Sequence, residues 1–260
     1  MDLPTHLQIE PAGRCNLRCQ MCAVRYRDAG APALMPFETF TDLLEQFAGL
    51  RELHLQGLGE PLLHPRFFDM VEHAAGRGIR VTTNTNLTLL NDDALAERCL
   101  ASGLDTLHVS VDGATAATYE RIRAGARFAD VEANLERLLA ARRRLRSATP
   151  RLHIVMVAMR QNVGELPALV RRAAGWEAEE VFVQHLCHDF GEETLPARYR
   201  PMRTFVDAQS LEREPAAAAA GAFAAARAAA DAAGIRLRLP RMEPAAGRAG
   251  CDWPWRGAYV

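Results

Sequence analysis

The sequence predicts an α/β chain built on a parallel sheet. Three observations lead there: short runs rich in Val, Leu and Ile recur from residue 6 to about residue 185, amphipathic stretches separate them, and turn residues follow most of them. Its 260 residues, 49% of them apolar, are enough for one sizeable core. Six strand–helix units in a row imply parallel pairing through crossover connections, in a complete barrel, a partial barrel or a doubly wound sheet.

The first strand is read at HLQIEP, starting at His6. ELHLQG, IRVTTNT, TLHVSVDG, LHIVMVAM and VFVQHL supply the next five. Between them PFETFTDLLEQFAGL, PRFFDMVEHAAGRG, NDDALAERCLASG, RFADVEANLERLLAARRRLR and VGELPALVRRAAGW repeat apolar residues every three or four positions, as one buried helix face requires. Thr41, Asn91 and Asp92 are expected near helix starts, and Gly76, Gly103 and Gly234 near helix ends. Beyond residue 187 a loop precedes the alanine-rich run EPAAAAAGAFAAARAAADAAG, which reads as a helix or a linker. IRLRLP then offers one more strand.

Composition removes several functions. The formal net charge of −1 gives no basis for a general nucleic-acid or membrane surface. The chain has no lysine, so Schiff-base catalysis through a lysine is excluded. It has no run of about 18 apolar residues and no basic start leading into an apolar stretch, so neither a membrane span nor a secretion signal is read. Six cysteines in a chain of this length do not form a secreted disulfide framework, so the reducing cytoplasm is the expected compartment. The run Arg142, Arg143, Arg144 and Arg146 closes a helix, where positive charge complements the dipole; it is read as solvated surface and not as a phosphate patch.

Cys15, Cys19 and Cys22 lie within eight residues, directly after the first strand. In parallel α/β sheets the strand C-termini are where reactive groups collect. A structural zinc ion normally takes four protein ligands, so a zinc site would have to borrow a histidine such as His54 or His64. In a cubane iron–sulfur cluster, three thiolates leave one iron without a protein ligand. Three unligated thiols are the remaining alternative.

Cys15-x3-Cys19-x2-Cys22 resembles the signature of the radical S-adenosylmethionine superfamily, with Met21 where that family often has an aromatic residue. The resemblance runs over about residues 6 to 190. GLGEPLLHP, with Gly57, Gly59 and Glu60, is similar to the family's glycine–glycine–glutamate segment. VTTNTNLTLL is similar to its TTNG-type turn, with Thr85 and Asn86 in place of the glycine. HVSVDGATAATYERIR is close to a segment of the subfamily that carries a C-terminal SPASM or twitch extension.

What the resemblance implies is a partial (β/α)6 TIM-like barrel over residues 1–190, with residues 191–240 closing it and residues 241–260 opening the extension. It implies a [4Fe-4S] cluster on Cys15, Cys19 and Cys22, with the amino and carboxylate groups of S-adenosylmethionine on the fourth iron. Reductive cleavage would give a 5′-deoxyadenosyl radical that takes hydrogen from a peptide side chain or a small metabolite, with a flavodoxin or ferredoxin as the reductant. Met21 would lie near the adenine, Glu60 would accept from the cofactor ammonium, and Ser110 and Asp112 would meet its ribose or carboxylate. Arg123 would pair with the methionyl carboxylate, Gln184 and Leu186 would line the adenine, and Gly57 and Gly59 would admit close backbone approach. Asn84 would reach the cofactor or cap the next helix.

Cys187 and His188 follow the sixth strand and are candidates for a proton or hydrogen donor. Cys99, in a helical pattern, is expected in the core. Cys251-Asp-Trp-Pro-Trp resembles the start of a SPASM or twitch domain, an auxiliary-cluster module that a longer chain would complete. With only five residues before the first strand, no leader-recognition domain is expected, which keeps a small metabolite beside a peptide as substrate. A non-catalytic iron–sulfur carrier or sensor is the alternative function.

Overall fold

The computed structural model describes residues 4–27, 34–186, 196–211, 217–240 and 257–259. Eight parallel strands form one sheet: β1 (His6–Ile9), β2 (Glu52–Leu55), β3 (Arg80–Thr85), β4 (Thr106–Ser110), β5 (Arg151–Ala158), β6 (Glu180–His185), β7 (Arg236–Arg238) and β8 (Gly257–Tyr259). Their order is β7-β6-β5-β4-β3-β2-β1-β8. A doubly wound sheet reverses its strand order part-way, whereas here each strand up to β7 lies beside its predecessor. This is barrel order, with β7 and β8 as edges that do not pair with one another among the described residues. The sheet is a partial TIM-like barrel. It has more strands than the six of the core expectation: IRLRLP supplies β7, and β8 comes from the tail assigned to the extension.

Alternation sorts the two faces of the sheet. Leu7, Ile9, Leu53, Leu55, Val81 and Val109 are buried under the helices, and each contributes about 1.5–3 kcal/mol by leaving water. The other face, the concave interior, is polar over β2, β3 and β4 and turns apolar at Val155, Val157 and Phe182 on β5 and β6. It carries His54, Gln56, Thr82, Asn84, His108, Ser110 and His153. Strand register puts Asn84 opposite His108, and His108 opposite His153.

The outer helices are α1 (Phe37–Glu45), α2 (Phe67–Gly76), α3 (Asp93–Ala101), α4 (Ala116–Ile122), α5 (Phe128–Leu145), α6 (Leu166–Gly175), α7 (Arg200–Gln209) and α8 (Ala217–Ala233). Asp92 caps α3 by accepting from the Leu95 N–H at 2.8 Å, so the cap is Asp92 and not Asn91. Thr41 lies inside α1, its hydroxyl donating to the Glu38 carbonyl, and not at the helix start. Gly76 is the last residue of α2, and the left-handed turn after it falls on Gly78 (φ 78°). From Ala217 to Ala233 the alanine-rich run is a helix that packs on α6, with Ala219, Phe223, Ala226 and Ala230 buried along one stripe. Cys99 is buried on α3, and burial pushes its thiol up to about 12. The arginine run is surface: Arg142 and Arg143 pair with Glu177, and Arg144 with Glu97.

Candidate cofactor site

After β1 the chain enters an extended loop that brings Cys15, Cys19 and Cys22 to the C-terminal end of the sheet. These thiols, Met21, Gln56, the segment from Gly57 to Glu60, Asn84, Thr85, Asn86, Ser110 and Arg123 surround one cavity of about 170 Å3. Its walls come from the C-terminal ends of β1, β2, β3 and β4 and from the turn after α4.

The walls are tied together by close backbone approach. A Cβ on Gly59 would collide with the carbonyl oxygens of Ala12 and Arg14, and one on Gly57 with the Glu10 carboxylate. The Glu60 N–H donates to the Arg14 carbonyl at 2.8 Å. Glu10, a residue the motifs do not flag, accepts from Leu58 N–H at 2.6 Å and Gly59 N–H at 3.0 Å. Gly59 is therefore required by backbone contact between two chain segments, one of which leads into Cys15, and Gly57 leaves space for the Glu10 side chain.

Glu60 is almost fully buried and works as a brace. Its Oε1 accepts from the Thr85 hydroxyl (2.6 Å) and Leu62 N–H (3.2 Å), and its Oε2 from Asn86 N–H (2.8 Å). Burial pushes its carboxyl pKa up, and these hydrogen bonds oppose the shift in part. Thr85 and Asn86, which depart from the family turn, thus have a function a glycine lacks. Asn86 also donates from Nδ2 to Asn16 Oδ1 (3.0 Å) and toward Cys15 Sγ (3.8 Å), linking the third strand to the thiol loop.

Burial raises the pKa of all three thiols, Cys19 to about 11. Such thiols stay protonated at neutral pH unless metal takes the proton's place. Among the described residues no three His, Cys, Asp or Glu side chains are grouped as a single metal ion would need. The two histidines available to a zinc site are engaged elsewhere. His54 bonds Thr82 Oγ1 (2.6 Å) and Gln56 Oε1, and His64 bonds the Met35 carbonyl (2.9 Å) and Arg66 N–H (3.1 Å). A donor set of three thiols lining one cavity, with neither histidine free to join them, fits an iron–sulfur cluster.

Three residues expected at the cofactor stand outside the cavity wall. Asp112 is fully buried behind it, pairing its Oδ2 with Arg123 Nε at 2.8 Å. Gln184 lies exposed on β6, opposite Val157. Leu186 is packed in a small apolar cluster with Ile122, Met159, Met202 and Val206. Cys187, His188 and Cys251 fall outside the described residues.

Comparison with known proteins agrees with this geometry. The chain is 32% identical over 186 residues to the tungsten-containing aldehyde ferredoxin oxidoreductase cofactor-modifying protein of Pyrococcus furiosus, covering 70% of this chain and 51% of that one. It is 31% identical over 169 residues to mycofactocin maturase MftC of Mycobacterium ulcerans, covering 64% and 43%. The chain spans about half the length of the curated relatives it matches. The crystal structure of Streptococcus suis SuiB bound to S-adenosylmethionine shares the fold, with a TM-score of 0.62 at 17% identity over 79% of this chain and 47% of SuiB. The family model for the Radical SAM superfamily matches residues 9–173, more than half of the sequence. This chain belongs to the radical SAM superfamily, a family of enzymes.

Proposed function

We infer that Cys15, Cys19 and Cys22 hold a [4Fe-4S] cluster and that S-adenosylmethionine binds beside it in the same cavity. The observation that carries this reading is the meeting of three thiols with Gly57, Gly59, Glu60, Asn84 and Ser110 around one cavity at four adjacent strand ends. When bound, the two cofactors supply reductive cleavage to a 5′-deoxyadenosyl radical able to take hydrogen from an unactivated C–H bond. The chain supplies binding and orientation. Glu60 Oε2 accepts one intrachain hydrogen bond and has room for an ammonium donor, while Ser110 and Asn84 offer a hydroxyl and an amide to polar groups. Arg123 presents a buried guanidinium suited to a carboxylate.

The substrate occupies the polar concave face below the cavity and is a peptide side chain or a small metabolite. In support, Gln56, Asn84 and Ser110 line the cavity from that face and offer polar groups to a ligand. The names of the Pyrococcus and Mycobacterium relatives support maturation of a cofactor or its precursor. A low-potential donor of the flavodoxin or ferredoxin class provides the electron. The residues from 241 onward, with Cys251, read as the start of an auxiliary-cluster extension, and the cytoplasm is the proposed compartment.

The test uses anaerobically reconstituted protein with dithionite and S-adenosylmethionine, analysed for 5′-deoxyadenosine. Formation that disappears in Cys15→Ala, Cys19→Ala and Cys22→Ala supports the reading. A cluster that cycles between redox states and leaves S-adenosylmethionine intact, in this chain and in any longer form, makes the protein an electron carrier or sensor instead.

A further inference from the structure

The turn after α4 returns to the thiol loop and grips it at two points. Arg18 N–H donates to the Ala124 carbonyl (2.8 Å) and Gln20 N–H to the Ile122 carbonyl (2.9 Å). Cys19 lies between the two donors and Arg123 between the two acceptors, so the clamp sets these residues face to face. The Arg123 Nη1 lies 4.0 Å from Cys19 Sγ, and the arginine is only 9% exposed.

Behind it, Asp112 is fully buried and fixed from both ends. Its Oδ2 pairs with Arg123 Nε, its Oδ1 accepts from Val157 N–H at 2.8 Å, and Asn162 Nδ2 donates to the carbonyls of both Asp112 and Val157. Burial works against the guanidinium charge, but the facing Asp112 together with Cys19 and Tyr119 outweighs this, and the arginine is held protonated.

A buried ion pair is costly to desolvate, and a well-packed apolar pair of similar volume often serves stability as well or better. The geometry gives this pair an electrostatic use instead, because its positive end is directed at a thiol and its negative end away from it. A cluster on three thiolates gains one further negative charge on reduction, and a nearby buried cation favours that state.

We propose that Arg123 sets the reduction potential of the cluster held by Cys15, Cys19 and Cys22, and that Asp112 positions Arg123 and attenuates its charge. In this step a single electron passes from an external one-electron donor to the cluster. No bond is made or broken, and Arg123 keeps its proton in both states. The proposal rests on the cluster reading above and is separate from any contact between Arg123 and S-adenosylmethionine.

The experiment is a redox titration of the anaerobically reconstituted chain, without S-adenosylmethionine. Dithionite and viologen mediators set the potential, and electron paramagnetic resonance follows the reduced cluster. Asp112→Asn removes the attenuating charge and is expected to shift the midpoint upward. The double variant Arg123→Met/Asp112→Asn removes both charges and is expected to shift it downward, and Arg123→Lys keeps it near the unchanged value. The double variant leaves no buried charge unpaired, so it decides the matter even where a single variant fails to fold. Coincident midpoints, or the reverse order, overturn the proposal while the cluster reading stands. Failure of the unchanged chain to assemble any cluster overturns both.

Discussion

Asn86 reaches three wall segments at once: its N–H meets Glu60, its Nδ2 meets Asn16 and Cys15, and its Oδ1 accepts from Thr88 N–H at 3.0 Å. Removing its side chain takes away the hydrogen bonds to Asn16 and Thr88 and the contact with Cys15, and loosens the thiol loop. Asn86→Ala is expected to lower stability by about 1–3 kcal/mol and to reduce iron uptake on reconstitution. Urea unfolding and iron analysis check this; unchanged iron content would show that the thiol loop does not depend on it. At Gly59 the constraint is steric. Gly59→Ala is expected to abolish cluster assembly, because the added methyl meets backbone oxygens that cannot move independently of Cys15. Gly164→Ala, where a Cβ meets nothing within 4 Å, is the matched control and should leave iron content at its original level.

Among the elements, the helices are amphipathic by sequence, and their burial follows that pattern. The α8 stripe of Ala219, Phe223, Ala226 and Ala230 faces α6, with Phe223 its largest member. Phe223→Ala should cost about 3–5 kcal/mol through lost burial and the cavity left behind, measured by chemical denaturation. A loss below about 1 kcal/mol would mean that α8 is not part of the cooperative core. The α3 cap is smaller in scale: Asp92→Ala releases the Leu95 N–H and should cost about 1 kcal/mol. Helix boundaries were harder to read than helix existence. Threonine is a common helix cap, but Pro36 precedes the first turn of α1 and leaves Thr41 inside the helix.

Across the whole molecule, the sheet has one apolar face under the helices and one face rich in polar groups, and the latter carries a line of partly buried histidines. The rings of His54 and His108 lie 6.0 Å apart and those of His108 and His153 5.1 Å apart, edge to face. Burial, then the neighbouring histidines, lowers the His108 pKa to about 4, and burial lowers those of His54 and His153 as well. These histidines bind protons more readily in the unfolded chain than in the folded one. Stability is therefore full above their ordinary pKa of about 6.5 and falls as the pH drops from there toward 4. For His108 alone the loss is at most about 3 kcal/mol by linkage. Unfolding at pH 7 and pH 5 measures the slope, and His108→Gln should flatten it. An equal slope in that variant would assign the acid sensitivity to other groups.

Local pattern by itself determined the α/β class, the first six strands and the positions of the three thiols, because alternation, helical period and cysteine spacing are properties of neighbouring residues. The resemblance to the radical SAM family, and not local pattern, pointed to Gly57, Gly59, Glu60, Asn84, Ser110 and Arg123, which stand together around the cavity because each closes or follows one of the β/α units. Only the tertiary structure decided what each wall residue meets. Glu10 lies 48 residues from Leu58, whose N–H it accepts, and Asn86 lies 71 residues from Cys15; no local window contains either pair. The same limit applies to Asp112, whose pairing with Arg123 no local window shows as a buried contact, and to β8, whose three residues pair along the open edge of β1. Hydrogen-bonding capacity is written in a residue, but the partner that satisfies it is set by which strand ends the closing sheet brings together.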